Sequence, residues 1–228
     1  MPDADTRLHL LRWVAGLGAV TAPALSLAHD VSLASARATL TAAVRRGELA
    51  RSRPLSERPA LFTLTTRGAR RAGLTGAAGC RVSAANAVHL TACASAAGAL
   101  QRCYPDRRVV GERELRQLER LYGLPIASAE LGSGGGVEKL LHRPDLVLLA
   151  ARPDEELPVA VEVELALKAP RRLEAICRAW ARCRDVAGVL YVASDEARRG
   201  VERAIEHAQA GDRVVVVSLD ALPVAPAA

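Results

Sequence analysis

Residues 158–168 have the sequence PVAVEVELALK, in which valine occupies positions 159, 161 and 163 and glutamate occupies 162 and 164. This alternation predicts a β-strand, because successive side chains of a strand point to opposite faces of the sheet. One face then carries the valines, and the other carries Glu162 and Glu164 about 7 Å apart. Carboxylates are costly to bury without partners, so a sheet face that holds two of them indicates a functional site.

A second strand is predicted within residues 142–150, HRPDLVLLA, and it carries Asp145. If the two strands are neighbours, Asp145 lies beside Glu162, and Lys168 follows at the end of the glutamate-bearing strand. A divalent cation is the usual compensation for converging carboxylates in proteins. The sequence therefore predicts a site built from three acids and one lysine.

The charge of the chain is concentrated in its first third. Residues 1–75 contain 11 arginines and 5 acidic residues, whereas residues 76–228 contain 20 basic and 20 acidic residues. A local excess of positive charge is typical of a module that binds phosphate groups. An ordinary solvated surface is the alternative explanation, and charge alone does not separate the two.

Three helices are predicted in this basic segment. An apolar period close to 3.6 residues predicts the first over residues 6–17. Thr21 and Pro23 indicate the start of a short second helix that ends near residue 29. Ser32 is the expected N-cap of a third helix over residues 33–46, and Gly47 is expected to end it.

Two short strands, predicted over residues 49–53 and 61–65, follow the helices and are expected to form a hairpin. Three helices followed by a basic hairpin is the order of a winged helix, a variant of the helix-turn-helix, and double-stranded DNA is the expected partner. The third helix and the hairpin supply the expected DNA-contacting side chains: Ser35, Arg37, Thr39, Thr41, Arg45, Arg46, Arg51, Arg53 and Arg58. A winged helix used only for protein contact is the alternative.

The rest of the chain alternates between helical and strand-like patterns. Helices are predicted over residues 83–103, 110–123, 170–184 and 196–210, and strands over residues 126–131, 145–150, 159–165, 188–193 and 213–219. This order predicts an α/β layer arrangement around a central mixed sheet. We expect a DNA-binding domain over residues 1–76, then a helical connector and an α/β domain over residues 77–228. The glycine run at 132–136 is expected to be a mobile hairpin loop.

The five cysteines form no CxxC pair. His89 and Cys93 are one helical turn apart, but without a second pair at ligand spacing the cysteines are expected to be small core residues. No signal peptide is evident, and the apolar stretch at 14–27 is interrupted by Gly16, Gly18 and Pro23. A cytoplasmic protein that does not span a membrane is therefore expected.

The order α-β-β-β-α-β over residues 110–220 resembles the restriction-endonuclease-like superfamily, whose signature is PD…(D/E)xK. Pro144 and Asp145 match its first element, and Glu162 matches the acidic position of the second. Glu164 departs from the signature, because lysine usually occupies that position, and Lys168 would be a displaced lysine. The resemblance implies a phosphodiesterase site in which Asp145 and Glu162 hold Mg²⁺, Glu164 extends the metal shell and Lys168 stabilises the charge on the transition state.

Taken whole, the chain is similar to the replication-relaxation proteins of actinobacterial plasmids and integrated elements. Leu64-Thr65 and Gly68 match an "LT..G" exit from the winged helix, and the stretches at 86–98, 112–116 and 142–149 support the likeness. The resemblance implies a DNA-binding protein that acts in replication, mobilisation or regulation of a mobile element.

Two readings of the C-terminal part remain open. It could be an active Mg²⁺-dependent DNA nuclease. It could also be a degenerate nuclease fold that serves homodimerisation or contacts replication or mobilisation proteins. In the second case the acids could instead pair with Arg143, Arg171 or Arg172. Glu164 at the usual lysine position favours the second reading.

Overall fold

The structure is a computed structural model that describes residues 4–74, 79–133, 139–152, 156–166 and 168–224. It is a mixed α/β protein, as the sequence predicts. The chain divides into two compact units, one formed by residues 1–105 with 223–228 and the other by residues 106–222.

The first unit contains five helices among its described residues: α1 (Ala4–Leu17), α2 (Ala22–Ala28), α3 (Leu33–Arg45), α4 (Thr66–Arg71) and α5 (Ala84–Cys103). The predicted caps are confirmed. Thr21 Oγ1 accepts the N–H of Ala24, and Ser32 Oγ accepts the N–H of Ser35. Gly47 follows α3 with φ of +70°, a left-handed conformation that glycine adopts without steric cost.

In the first unit, β1 (Ala19–Val20), β2 (Leu49–Ser52) and β3 (Leu61–Leu64) form a three-stranded antiparallel sheet in the order β1-β3-β2. The predicted hairpin is present as β2 (Leu49–Ser52) and β3 (Leu61–Leu64). The edge strand β1 (Ala19–Val20) has only two residues, too few for any alternation to predict it. The core of this unit packs the apolar faces of α1, α2 and α3 against the sheet.

Helix α5 belongs to the first unit, and it packs closely against α2. A Cβ atom on Gly98 would lie 2.6 Å from the backbone oxygen of Ala24, so the two helices approach at a distance that only glycine permits. The helix that we assigned to a connector after residue 76 therefore packs with the elements before it, and the division of the chain falls after Pro105.

The second unit contains helices α6 (Glu112–Tyr122), α7 (Pro170–Arg182) and α8 (Asp195–Ala208), with a short 3₁₀ turn at Leu219–Ala221. Its main sheet contains β4 (Arg108–Gly111), β7 (Leu146–Leu149), β8 (Val159–Glu164), β9 (Gly188–Ala193) and β10 (Val214–Ser218). This sheet is mixed and has the order β10-β9-β8-β7-β4. Strand β7 is antiparallel to both of its neighbours, and β8, β9 and β10 are parallel.

Two details of the second unit differ from the predictions. The region from 126 to 142 forms a separate two-stranded hairpin, β5 (Ala129–Ser133) and β6 (Lys139–His142), rather than a strand of the main sheet. The edge of the main sheet is instead formed by β4, which precedes α6 and was not predicted. Residues 134–136 of the predicted glycine loop lie outside the described residues.

The core of the second unit lies on the sheet face that carries Ala160. Helix α7 contributes Leu173, Ile176 and Trp180, and α8 contributes further aliphatic residues to the same cluster. In the part of the chain that the structure describes, every helix is too short or too polar to cross a lipid bilayer.

Candidate functional site

Asp145 lies immediately before β7, next to the central strand β8. Leu146 is paired with Val161, so Asp145 occupies the position opposite Glu162. Its Oδ2 accepts the backbone N–H of Val163 at 2.8 Å, and its backbone oxygen accepts the N–H of Glu112 at the start of α6. The two predicted strands are therefore neighbours, although β7 begins one residue after Asp145.

Glu162 is buried beneath α7 and bound by two nitrogen atoms. It is 3% exposed. The indole Nε1–H of Trp180 donates to its Oε1 at 3.0 Å, and His142 Nε2 lies 2.6 Å from the same oxygen. The imidazole also stacks edge-on against the Trp180 ring, with 5.8 Å between ring centroids. Glu162 is therefore held from two sides by groups of its own unit.

Glu164, two residues further along the strand, is also buried at 5% exposure. Lys168 reaches back to it, and Lys168 Nζ lies 2.5 Å from Glu164 Oε2. The lysine side chain keeps about a third of its surface exposed. The structure thus brings Glu164 and Lys168 together as an ion pair at the end of β8.

The pKa of Glu164 reflects the burial of its side chain and the charges of Lys168, Glu162 and Asp145 around it. Burial raises this pKa, the contact with Lys168 opposes the rise, and the charges of Glu162 and Asp145 add to it; the net shift is upward. Burial is therefore the larger cause of the raised pKa, and the like charges of the neighbouring acids are the smaller one.

Two residues next to Glu162 on the core side, Tyr191 and Cys177, are affected by its charge. Tyr191 is the residue paired with Glu162 on β9, and Cys177 lies on α7. Burial raises the pKa of the Cys177 thiol to about 11, and the nearby carboxylate of Glu162 contributes. Burial and Glu162 also raise the pKa of Tyr191. Both groups are therefore neutral at ordinary pH.

The arginines proposed as partners of the acids lie elsewhere. Arg143 donates from Nε to Glu119 Oε2 at 2.8 Å, and Glu119 also accepts from Ser128 at 2.5 Å. Arg171 and Arg172 are exposed at the start of α7, and among the described residues neither pairs with the acids. Sequence reasoning missed the actual partners, His142 and Trp180. The only local signal was a histidine two residues before Pro144.

A divalent cation does not fit these contacts as they stand. Mg²⁺ retains several water molecules when bound by proteins. Glu162 and Glu164 are almost completely buried, Glu162 Oε1 is bound by two nitrogen donors, and Lys168 occupies the position beside Glu164 that a cation would need. The lysine supplies a positive charge beside Glu164, the acid that was expected to extend the metal shell.

The second candidate site is the outer face of α3. Ala36, Leu40 and Ala43 form the buried apolar face of this helix, so its opposite face points outward. Six of the predicted DNA-contacting residues lie on this helix or at its end. Four of them are exposed, namely Ser35, Arg37, Thr41 and Arg45, while Thr39 and Arg46 are half-buried.

Arg46 differs from its neighbour Arg45. Its Nε donates at 2.8 Å to Oε2 of Glu48, which is 1% exposed, and Arg7 of α1 binds the other oxygen of the same carboxylate. Burial alone would raise the pKa of Glu48, but the hydrogen bonds and charges of Arg7 and Arg46 outweigh it and the pKa is lowered. Arg46 therefore joins α3 to α1, a role that its sequence position did not indicate.

The hairpin places its arginines at the surface. Arg51, Arg53 and Arg58 are exposed, and Arg53 Nε donates to the backbone oxygen of Arg58 at 3.3 Å. Arg53 thus joins the two ends of the turn, and no other bond of its side chain is found in the described part of the chain. The hairpin and the outer face of α3 form two basic surfaces within one unit.

Comparison of the chain with protein-family models, with curated protein sequences and with solved structures finds no significant match in any of the three.

Proposed function

We propose that this protein binds double-stranded DNA through its first unit, as a winged-helix module. The observation that carries the proposal is the outer face of α3, where Arg37 and Arg45 stand with short polar side chains over a buried apolar back. Arginine and short hydroxyl side chains on a helix surface suit phosphate oxygens and base edges in the major groove.

The hairpin supports the same function. Its position after α3, its antiparallel pairing and its three exposed arginines suit a contact with the DNA backbone beside the groove that α3 enters. The concentration of the net positive charge in residues 1–75 supplies the long-range attraction that such a module uses.

The test is fluorescence anisotropy with a labelled duplex over a series of salt concentrations. Replacing Arg37 and Arg45 together by glutamine should weaken binding and reduce the slope of log affinity against log salt by about 1.8, since each phosphate contact contributes about 0.9. Binding with the wild-type slope in this double variant would exclude α3 as the DNA-contacting element.

The second unit is proposed to be a nuclease-like domain that has lost or suppressed its metal site. The mixed sheet with Asp145 opposite Glu162 on adjacent segments supports the nuclease-like relationship. The contacts of Glu162 with Trp180 and His142, and of Glu164 with Lys168, favour a structural role for these acids. We propose that the second unit acts as a homodimer, in an accessory role in the replication or mobilisation of a genetic element. A nuclease-like sheet whose acids have a structural role suits such a function.

An active nuclease is the second candidate, because the charges of Glu162 and Asp145 are close enough to Glu164 to help raise its pKa, so that three carboxylates gather at one site. A plasmid-nicking assay with Mn²⁺ distinguishes the two. Nicking by the wild type that disappears in Asp145→Ala would establish the nuclease. Equal absence of nicking in both proteins, together with no heat of Mg²⁺ or Mn²⁺ binding in calorimetry, is the result that the accessory role predicts.

A further inference from the structure

A third basic feature of the first unit lies on α4, outside the surfaces assigned to DNA so far. Arg67, Arg70 and Arg71 occupy positions i, i+3 and i+4 of this helix, so they share one face. All three are exposed, and no ion pair or hydrogen bond of their side chains is found among the described residues. Helix α4 contains no acidic residue that could offset them.

These arginines line an open pocket of about 630 Å³ together with Arg7 and Glu48. Among the described residues that line the pocket, Glu48 is the only acid, and its charge is already matched by Arg7 and Arg46. The three guanidinium groups of α4 therefore face the pocket as uncompensated positive charge. Like charges at these spacings destabilise a helix, and an anion in the pocket would relieve that repulsion.

The helix is fixed in place by its buried side. Thr65 caps it by accepting the N–H of Gly68, and its hydroxyl also donates to the backbone oxygen of Gly47 at 2.7 Å. A Cβ atom on Gly68 would lie 2.1 Å from the backbone oxygen of Glu48, so α4 packs directly on the segment that carries the buried carboxylate. The arginine face is thus held at the pocket by backbone contacts.

We infer that this pocket is a phosphate-binding site, and that in the proposed function it takes a phosphodiester group of the DNA backbone. Guanidinium groups bind phosphate through paired N–H donors, and several of them around one cavity match its negative charge. The identification of DNA as the source of this phosphate rests on the proposed function. It adds a backbone contact on α4 to those of α3 and the hairpin.

The variant that tests the site is Arg67→Gln/Arg71→Gln, which removes two charges one helical turn apart. The matched control is Arg199→Gln/Arg203→Gln on α8 in the second unit, where two exposed arginines have the same spacing and likewise no described partner. Both variants change the net charge equally. Relief of like-charge repulsion predicts that the α4 variant unfolds at a urea midpoint no lower than that of the wild type.

In the anisotropy assay, the α4 variant should lose about 1.8 from the salt slope and on the order of tenfold in affinity, while the α8 control keeps both. An α4 variant that matches the α8 control overturns the inference. If the salt slope falls in Arg37→Gln/Arg45→Gln but keeps its wild-type value in the α4 variant, α3 contacts DNA and the pocket does not.

A second measurement separates the pocket from DNA binding. Inorganic phosphate is titrated into the ¹⁵N-labelled protein, and the side-chain Nε–Hε signals of arginine are followed by NMR. The signals of Arg67 and Arg71 are assigned as those missing from the spectrum of Arg67→Gln/Arg71→Gln. In the wild type they should shift as phosphate is added and then reach a plateau. If the wild type fails to bind duplex DNA, the proposed function fails. The phosphate titration then supports the anion site if these signals shift and overturns it if they do not.

Discussion

Trp180 donates its indole N–H to Glu162 Oε1 at 3.0 Å, across the interface between α7 and the central strand of the second unit. The tryptophan is completely buried and the glutamate is 3% exposed, so water cannot replace this bond. Glu162 was expected to hold a metal, but it is bound by Trp180 and His142 and forms part of the packed core. A buried carboxylate that loses a donor retains the full cost of its desolvation.

Trp180→Phe should therefore lower the free energy of unfolding by more than the loss of ring volume explains. The matched control is Trp13→Phe in the first unit, because the buried Nε1 of Trp13 has no hydrogen-bond partner among the described residues. We expect Trp180→Phe to cost at least about 1.5 kcal/mol more than Trp13→Phe, the typical contribution of a hydrogen bond to a charged group. Urea unfolding of each variant measures the difference, and equal costs would mean that the bond does not stabilise the core.

The raised pKa of Glu164 predicts how stability depends on pH. The folded protein holds the Glu164 proton more tightly than the unfolded chain does, so the free energy of unfolding should fall as pH rises from the ordinary glutamate value through the raised one. The contribution of one proton cannot exceed about 1.4 kcal/mol per pH unit. Glu164→Gln removes the titrating group.

Urea unfolding of the wild type and of Glu164→Gln at a series of pH values checks this prediction. The stability of the wild type relative to the variant should decrease across that pH window. A difference between the two proteins that does not change with pH would show that Glu164 titrates at the same pH in the folded and unfolded states.

Arg45 and Arg46 are adjacent in sequence but should respond differently to substitution. Arg45 is exposed with no described partner, so Arg45→Gln should weaken DNA binding and leave the free energy of unfolding within about 0.5 kcal/mol. Arg46 binds the buried Glu48, so Arg46→Gln should cost about 1–2 kcal/mol of stability. Anisotropy and urea unfolding on both variants measure the contrast. Equal stability losses would contradict the assignment of Arg46 to the Glu48 cluster.

Gly98 should be intolerant of a side chain despite lying inside a helix. Alanine normally stabilises a helix relative to glycine by about 1 kcal/mol. At this position, however, its Cβ atom would lie 2.6 Å from the Ala24 oxygen and would force α2 and α5 apart. Gly98→Ala should therefore lower stability by about 1–3 kcal/mol.

Ser95→Ala, at an exposed position of the same helix, is the control for Gly98→Ala and should change stability by less than about 0.5 kcal/mol. Thermal unfolding of the two variants provides the comparison. A Gly98→Ala protein that is more stable than the wild type would show that the contact between α2 and α5 can open without cost.

The predictions from sequence succeeded where the determinants are local. The caps of α2 and α3 were identified from Thr21 and Ser32, since a hydroxyl side chain bonds an N–H three residues further on. The alternation of β8 placed Glu162 and Glu164 on one face. Strand β1 was missed because two residues carry too little pattern to show a period. Strand β4 was missed because its last two residues were included in the helix predicted over residues 110–123.

Local patterns in the amino-acid sequence were enough to predict the hairpin, the basic first third, the acids on a central strand and every α-helix of the described residues except α4, because capping, alternation and charge act over a few neighbouring residues. The partners of those acids and arginines are set by packing between distant parts of the chain. Glu162 meets Trp180 and His142 across separations of 18 and 20 residues, and Arg7 meets Glu48 across 41. Such partners depend on where α7 crosses the sheet and where α1 packs, and these positions follow from burying the whole core at once.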